Sequence, residues 1–458
     1  MAHKRLSSSQ TKRWKECPGS VPLLELIETD NSSGHFAQMG TCAHLVIETA
    51  LGEGKVPADY EDRIVQIKNP DTSDEEVVML KPNAKAPGAT ATWFIVDQDM
   101  VEATTCMTDY VHRRMAELWP DQYNGNPRET LKAIKAGHLI LEGHTNPLPE
   151  REDTGGTADV TLDCWPEIIE IVDYKNGSGV FVPVEKNDQL RNYAAGRWAE
   201  ADYSHSAVKY TICQPRHTNA PADGIMSEEV SPEELKAWID DLREAAKRVD
   251  DASDITHDLA VEKDPPEIIM EALYQKGLLS TGPEGSACTW CSLVNSCPAA
   301  KAKVQEVAAM DFDDDPEDLD PPTGPNHFAM ILPWIPFLDK FCKEAMANAE
   351  NYALTGGTIE GYKLVRGKSN RKWKDGDEKE LEDELVKRWK LKKADLRPPA
   401  KLITGPQAEK LVPAKMRPQF NAEMLQKPEG KLTLVPNSDK KPAVDVNPGD
   451  DFDDEPGA

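Results

Sequence analysis

The sequence lacks any apolar run long enough to span a membrane, and its N-terminus lacks the apolar core of a secretory signal peptide. The most apolar stretch, FAMILPWIPFL at 328–338, is too short for a membrane helix and contains two prolines. We therefore expect a cytoplasmic protein with no membrane partner. Without an export signal, the nine cysteines are expected to be thiols or metal ligands rather than disulfides.

The chain also lacks an excess of basic residues. Its 458 residues carry a formal net charge of -27, which at first sight excludes a nucleic-acid-binding protein because phosphate contacts need Lys and Arg. The acidic residues are unevenly spread, however. DFDDDPEDLD (311–320) and DDFDDEPGA (450–458) are acidic, whereas YKLVRGKSNRKWK (362–374) is strongly basic. The net charge of the whole chain therefore does not predict the charge of any one of its surfaces.

The order of the apolar segments predicts an α/β or α+β sheet with helices packed against it. Strand-like segments follow two predicted helices, and a further helix precedes the last of these strands, an order typical of a sheet covered by helices. SPEELKAWIDDLREAAKRV begins with a Ser-Pro-Glu helix-initiation signal. The predicted helices span 36–51, 99–117, 185–201 and 231–249, and the predicted strands span 137–144, 157–165, 167–175 and 207–216.

Composition divides the chain into four parts. Residues 1–305 form the main predicted domain, and the acidic, Pro-containing stretch at 306–326 is predicted to be a linker. Residues 327–415 form a small predicted α+β region around the basic segment, which suits either DNA binding or a solvated hairpin with edge lysines. Residues 416–458 are predicted to form a disordered acidic tail.

The segment IVDYKNGSG at 171–179 carries the most informative chemistry. Side chains alternate along a strand, so Asp173 and Lys175 lie on one face and Tyr174 on the other. Such a pair is either an ordinary surface ion pair or part of an active site. Asp159 begins the preceding predicted strand, and an antiparallel neighbour brings its carboxylate towards Asp173.

Two helices supply further polar side chains. Gln189 and Tyr193 are four residues apart on the helix after the strand and so share a face. His44 offers a nitrogen ligand from an earlier helix, on the same face as Glu48. Converging carboxylates need a cation between them, and oxygen ligands favour Mg²⁺ or Mn²⁺, with the imidazole favouring Mn²⁺. A lysine beside such a metal suits phosphodiester hydrolysis.

The ordered set of motifs resembles the PD-(D/E)XK nuclease superfamily, specifically its RecB-like branch, over roughly residues 5–300. The matching positions are Gly40-Thr41-x-x-His44, Gly156-Thr157-Ala158-Asp159, Asp173-Tyr174-Lys175 and Gln189-x-x-x-Tyr193. The resemblance implies a restriction-endonuclease-like core, in which helices flank a mixed central sheet. It also implies that His44, Asp159 and Asp173 are metal ligands, with the Tyr174 backbone carbonyl as a further one. Lys175 would be the catalytic lysine, and Gln189 and Tyr193 would orient the site or contact DNA.

A cysteine cluster, CTWCSLVNSC, supplies Cys288, Cys291 and Cys297, and Cys17 is the best candidate for a fourth ligand. Four cysteines commonly bind zinc. The arrangement of one cysteine near the N-terminus and three close together much later in the chain nevertheless resembles the iron–sulfur staple of AddB-type and CRISPR-adaptation nucleases in the same superfamily. This resemblance implies a [4Fe–4S] cluster. Such a cluster would clamp two segments about 270 residues apart.

The whole chain resembles a phage-encoded family of RecB-like proteins found among replication and recombination genes. This resemblance implies a metal-dependent DNA exonuclease, acting 5′→3′, in the host cytoplasm. The implied partners are DNA and replication or recombination proteins of phage or host, such as a single-stranded-DNA-binding protein. The alternative is a non-catalytic DNA-binding or inhibitor protein on a nuclease scaffold, whose acidic segments imitate DNA.

Overall fold

Around the candidate site, helices and strands follow the order that the sequence predicts. The computed structural model describes residues 4–27, 34–69, 75–85, 87, 91–309, 325–354, 357–360 and 362. Within these ranges the strands are β1 (Leu6–Ser7), β2 (Ile64–Lys68), β3 (Glu76–Met79), β4 (Thr92–Ile95), β5 (Leu139–Thr145), β6 (Thr154–Cys164), β7 (Ile168–Tyr174), β8 (Ala207–Cys213) and β9 (Ile225–Val230). The α-helices are α1 (Thr11–Glu16), α2 (Ser20–Leu26), α3 (His35–Glu53), α4 (Gln98–Leu118), α5 (Thr130–Ala136), α6 (Asp188–Glu200), α7 (Pro232–Val261), α8 (Pro266–Gln275), α9 (Pro298–Ala309), α10 (Pro325–Ile331) and α11 (Ile335–Leu354).

A mixed six-stranded sheet forms the centre of the fold. Its order is β1-β6-β7-β8-β9, and β5 also pairs with β6. β7 is antiparallel to β6 and parallel to β8, while β9 is antiparallel to β8. Short β1 is parallel to the start of β6, where Leu6 lies beside Thr154. The predicted α/β fold with a mixed sheet flanked by helices is thereby confirmed.

The alternation of side chains along β7 separates two hydrophobic cores. Ile169 and Ile171 pack in a core with α6 and α7, whereas Val172 and Tyr174 pack in a core with α3 and α4. All four side chains are fully buried. A strand with both faces covered in this way holds the residues at its end in a fixed position.

Side-chain caps determine where the helices around the sheet begin. Asp97 accepts a hydrogen bond from Met100 N at the start of α4. Asn187 accepts from two backbone amides at the start of α6, and Ser231 caps α7 in the same manner. Each cap satisfies amides that have no partner inside the helix.

A three-stranded antiparallel sheet, β3-β2-β4, is absent from the sequence prediction. Its strands are short, and only Ile64, Val65 and Ile67 of β2 are buried. Val65 and Ile67 belong to the same core as α3 and α4. The small sheet therefore extends that core beyond the predicted elements.

The predicted boundary at 306–326 does not separate two compact units. The described residues as far as Ile359 belong to one unit, and Phe337 of α11 is buried in a core with Cys288, Val294 and Ala300. Gly285 lies so close to Phe337 that a Cβ there would come within 2.5 Å of the Phe337 Cβ. The first part of the predicted C-terminal region thus packs on the cysteine segment.

Several predicted segments lie outside the described residues. These are most of the linker (310–324), nearly all of the basic segment and the acidic tail. Among the helices that the structure describes, none combines the length and apolarity needed to cross a membrane.

Candidate metal-binding active site and cysteine cluster

Asp173 and Lys175 lie together at the end of β7, as the strand alternation predicts. The Lys175 Nζ is 2.9 Å from the Oδ2 atom of Asp173, whose side chain is only 2% exposed. The Lys175 ammonium is therefore the cation that partners this buried carboxylate, as a buried charge requires.

Asp159 is held between α3 and β7. Its Oδ2 atom is 3.2 Å from the Nδ1 atom of His44 and accepts a 2.8 Å hydrogen bond from the Tyr174 backbone N. The His44 and Tyr174 rings meet edge to face, 5.6 Å apart between centroids. The structure therefore brings these predicted site residues to one place, although they come from three different elements.

The two glycines of the predicted motifs differ in how closely their neighbours pack. A Cβ at Gly156 would lie 2.7 Å from Ser8 Oγ and 3.1 Å from the Tyr193 ring. At Gly40, one turn before His44, a Cβ would meet only the Asn176 Cβ at 3.9 Å. Gly156 is thus a packing requirement, whereas Gly40 leaves the helix surface open beside the site.

Glu142 is a candidate metal ligand that the sequence analysis missed. One ligand atom each from His44, Glu142 and Asp159 can be chosen so that all lie within 4.8 Å of one another, and no other such group occurs among the described residues. On β5, Glu142 falls opposite Asp159, between the paired residues Leu141–Val160 and Gly143–Ala158. Its φ of 44° is left-handed, a strained conformation that is frequent at functional sites.

Gln189 and Tyr193 form a chain of hydrogen bonds that ends on Lys175. The Lys175 Nζ donates to Gln189 Oε1 at 3.0 Å, and Gln189 Nε2 donates to the Tyr193 hydroxyl at 2.9 Å. The two side chains share a face of α6, as their spacing predicts. They reach the lysine rather than the group formed by His44, Glu142 and Asp159.

The protonation equilibria of the site indicate an excess of negative charge. Burial and the nearby Asp159 raise the pKa of Glu142 to about 7. Burial lowers the pKa of His44, but the charge and hydrogen bond of Asp159 outweigh burial and raise it to about 9. Burial likewise opposes the ammonium form of Lys175, yet Asp173 and Asp159 raise its pKa above the ordinary value. Each shift has the direction expected where carboxylates crowd together.

The donor set suits one divalent cation. Two carboxylates and an imidazole converge within 4.8 Å, and the buried Asp173 lies close enough for its charge to act on both His44 and Asp159. Glu48 adds a further carboxylate, whose charge acts on Glu142 and whose own pKa is raised by burial. One histidine and one lysine do not balance these four acids. Oxygen-rich sites with a single imidazole suit Mg²⁺ or Mn²⁺.

Cys288 lies within electrostatic range of the other three cysteines singled out in the sequence, Cys17, Cys291 and Cys297. Cys17, Cys288 and Cys291 are buried, and Cys297 is partly buried. Burial, together with the neighbouring Cys297 and Cys291, raises the pKa of Cys17 to about 12. The Ser280 backbone N donates a 3.5 Å hydrogen bond to Cys17 Sγ. Residues near the two ends of the predicted main domain therefore meet.

Other contacts also join these two segments. The Ser286 hydroxyl donates a 2.5 Å hydrogen bond to Glu16 Oε2, and Gly19 N donates to the Leu278 carbonyl oxygen at 2.8 Å. α1 ends at Glu16 and packs against α6 and α7. The cysteine segment is thus connected to the helix that carries Gln189.

The fold and site define an α/β protein in which the central sheet and α3 bring together carboxylates, an imidazole and a lysine. The chain belongs to the family described as "Protein of unknown function (DUF2800)", whose model matches residues 3–442.

Proposed function

We propose that the chain is a metal-dependent DNA phosphodiesterase of the RecB-like PD-(D/E)XK type. The observation that carries this proposal is the meeting of His44, Glu142 and Asp159 at one point, with Asp173 and Lys175 next to them. Crowded carboxylates are costly without a cation, and a lysine pointed at the same place suits a phosphate substrate.

The residues divide into ligands and a cationic group. His44, Glu142, Asp159 and Asp173 would hold a Mg²⁺ or Mn²⁺ ion, to which the Tyr174 carbonyl oxygen would add a further ligand. A bound divalent ion supplies Lewis-acid charge and makes water a better nucleophile. Because Asp173 and Asp159 keep Lys175 protonated, the ammonium would stabilise the charge that develops on the phosphate.

Gln189 and Tyr193 act as positioning residues in this proposal. The hydrogen bond from Lys175 to Gln189 restricts the ammonium to one direction, and Tyr193 fixes the Gln189 amide in turn. Tyr193 is buried, with only 6% of its surface exposed. A lysine held by two partners loses little side-chain entropy when a phosphate arrives.

The four cysteines would hold a [4Fe–4S] cluster with a structural role. One cysteine near the N-terminus and three close together after residue 287 is the arrangement that resembles the iron–sulfur staple, and this resemblance supports the cluster over a zinc ion. Arg13 supplies positive charge beside Cys17 and Cys291.

Assays on DNA substrates test the proposal. Protein purified without oxygen is incubated with end-labelled linear DNA and with circular DNA, in Mg²⁺, in Mn²⁺ and in EDTA. An exonuclease degrades linear DNA only, requires the metal and, if it acts 5′→3′, releases the 5′ label first. Asp159→Asn should abolish this activity.

Asp163→Asn is the matched control, because Asp163 lies four residues further along β6 and pairs with His205 at 2.8 Å. It should cleave at the parent rate. A parent protein that leaves linear and circular DNA intact with both metals would count against the nuclease function.

A further inference from the structure

A groove of about 330 Å³ opens beside Gln189. Three separate stretches of the chain line it: residues 8–13 around the start of α1, residues 181–189 before and at the start of α6, and residues 286–290 of the cysteine segment. Its size is at the lower end of the range for small-ligand pockets, which suits one or two nucleotide units rather than a duplex.

Trp290 forms one wall of this groove and is 73% exposed. It lies between Cys288 and Cys291, which are both at least nine-tenths buried. The backbone that carries the indole is thus anchored on both sides while the ring faces solvent. Packing among the described residues does not account for so exposed an aromatic ring, whereas stacking on a flat partner would.

Cationic side chains surround the aromatic wall. Lys12 and Lys186 are exposed, and the buried Nε of Arg13 donates no hydrogen bond to any described residue. The acidic residues of the groove are Glu185 and Asp188. The Asp188 carboxylate accepts a hydrogen bond from the Trp238 indole at 2.9 Å and lies 3.6 Å from Lys15. The lining therefore retains positive charge beside an aromatic surface.

The groove adjoins the candidate active site through one shared residue. Gln189 is part of its lining and also accepts the hydrogen bond from Lys175. A chain of phosphates lying along the groove would place one phosphate next to the Lys175 ammonium. Few other ligands would need stacking surface, positive charge and access to a metal-binding group together.

We propose that this groove binds an unpaired nucleic-acid strand next to the phosphate to be cut, with one base stacked on Trp290 and its phosphates against Lys12 and Lys186. This inference rests on the proposed function and adds to it a strand-binding site in the cysteine segment. Unpaired bases are required because the faces of paired bases inside a duplex are already stacked on their neighbours.

Binding measurements on full-length, cluster-containing protein in EDTA test the inference, with Lys175→Ala as the background. The probes are a labelled twelve-nucleotide oligo-dT, an abasic strand of the same length and a blunt duplex. Trp290→Ala should weaken oligo-dT binding at least about fivefold and leave abasic-strand binding unchanged, while Trp290→Phe restores most of the affinity. Lys186→Ala should weaken binding of both single strands. It should also make the slope of the log binding constant against log salt concentration shallower by about one.

Trp165→Ala is the matched control, since Trp165 is 66% exposed but lies between β6 and β7 at the opposite end of the sheet. The inference is overturned if Trp290→Ala binds oligo-dT as tightly as the parent does. It is also overturned if Trp165→Ala loses as much oligo-dT affinity as Trp290→Ala, or if the parent binds the duplex more tightly than oligo-dT. The two proposals fail separately. If the parent cleaves DNA but its binding of oligo-dT does not depend on Trp290, only the groove proposal is refuted. If binding depends on Trp290 but the parent does not cleave DNA, only the proposed nuclease activity is refuted.

Discussion

The carboxylate of Asp159 accepts a 2.8 Å hydrogen bond from the backbone N of Tyr174. This bond joins the two antiparallel strands where the ladder between them ends, because the last paired residues are Val160 and Val172. The same oxygen atom lies 3.2 Å from His44 Nδ1, so it contacts both α3 and β7. The backbone of β7 therefore helps to hold Asp159 beside the strand that carries Asp173 and Lys175.

Metal affinity should depend on pH through Glu142 and His44. Without metal their pKa values are about 7 and about 9, and both groups must lose a proton to act as ligands. Raising the pH from 6 to 8 should therefore strengthen Mn²⁺ binding at least about tenfold. Glu142→Gln should bind more weakly and show a shallower pH dependence below pH 7. Calorimetric titration with Mn²⁺ at several pH values measures the affinity of the parent and of Glu142→Gln. Glu76→Gln is the control, because Glu76 is exposed. A Mn²⁺ affinity that does not change with pH would contradict the assignment of these ligands.

The proposed [4Fe–4S] cluster should give the protein a colour and should stabilise its fold. Protein purified without oxygen should be brown, and Cys291→Ser should lose the colour because one cluster ligand is gone. The thermal midpoint should fall by roughly 5 °C or more, since the cluster closes a long loop. Cys342→Ser is the control, because Cys342 is exposed on α11. A colourless protein that contains one zinc ion per chain would contradict the iron–sulfur assignment and identify a zinc site instead.

Gly156→Ala should destabilise the fold as well as the site. The added methyl group would lie 2.7 Å from Ser8 Oγ, which is itself held 2.6 Å from Asn192 Oδ1. We expect a loss of about 1–3 kcal/mol in the free energy of unfolding, the usual cost of overpacking. Gly177→Ala is the control, since a methyl group added there would meet no atom within 4 Å. Denaturant titration of the two variants compares them, and equal stabilities would show that the contact at Gly156 can relax.

Local sequence patterns were sufficient to predict the elements around the site. The period of two along β7 places Asp173 and Lys175 on one face, and the i, i+4 spacing on α6 places Gln189 and Tyr193 together. α7 continues twelve residues past its predicted end, because Ala252 and Thr256 extend the buried stripe through a charged stretch. Periodicity is weak there, and only packing against α2 and α8 reveals the helix.

Glu142 could not be assigned from the sequence because its position depends on strand register. The eight residues between β5 and β6 leave the pairing of the two strands open, so nothing local places Glu142 opposite Asp159. The available signal was an acidic residue in the otherwise apolar run LILEG. The groove beside Trp290 was equally hidden, since its three stretches meet only in the folded chain.

Cleavage by Lys175→Ala tests the central claim most directly, because Lys175 is next to the metal-binding group but is not one of its ligands. The substitution should lower metal-dependent cleavage of linear DNA by about 100-fold or more, while Mn²⁺ binding and thermal stability change little. Lys68→Ala removes an exposed lysine that pairs with Glu76 on the three-stranded sheet and should cleave at the parent rate. Parent-level cleavage by Lys175→Ala would contradict the account of this site.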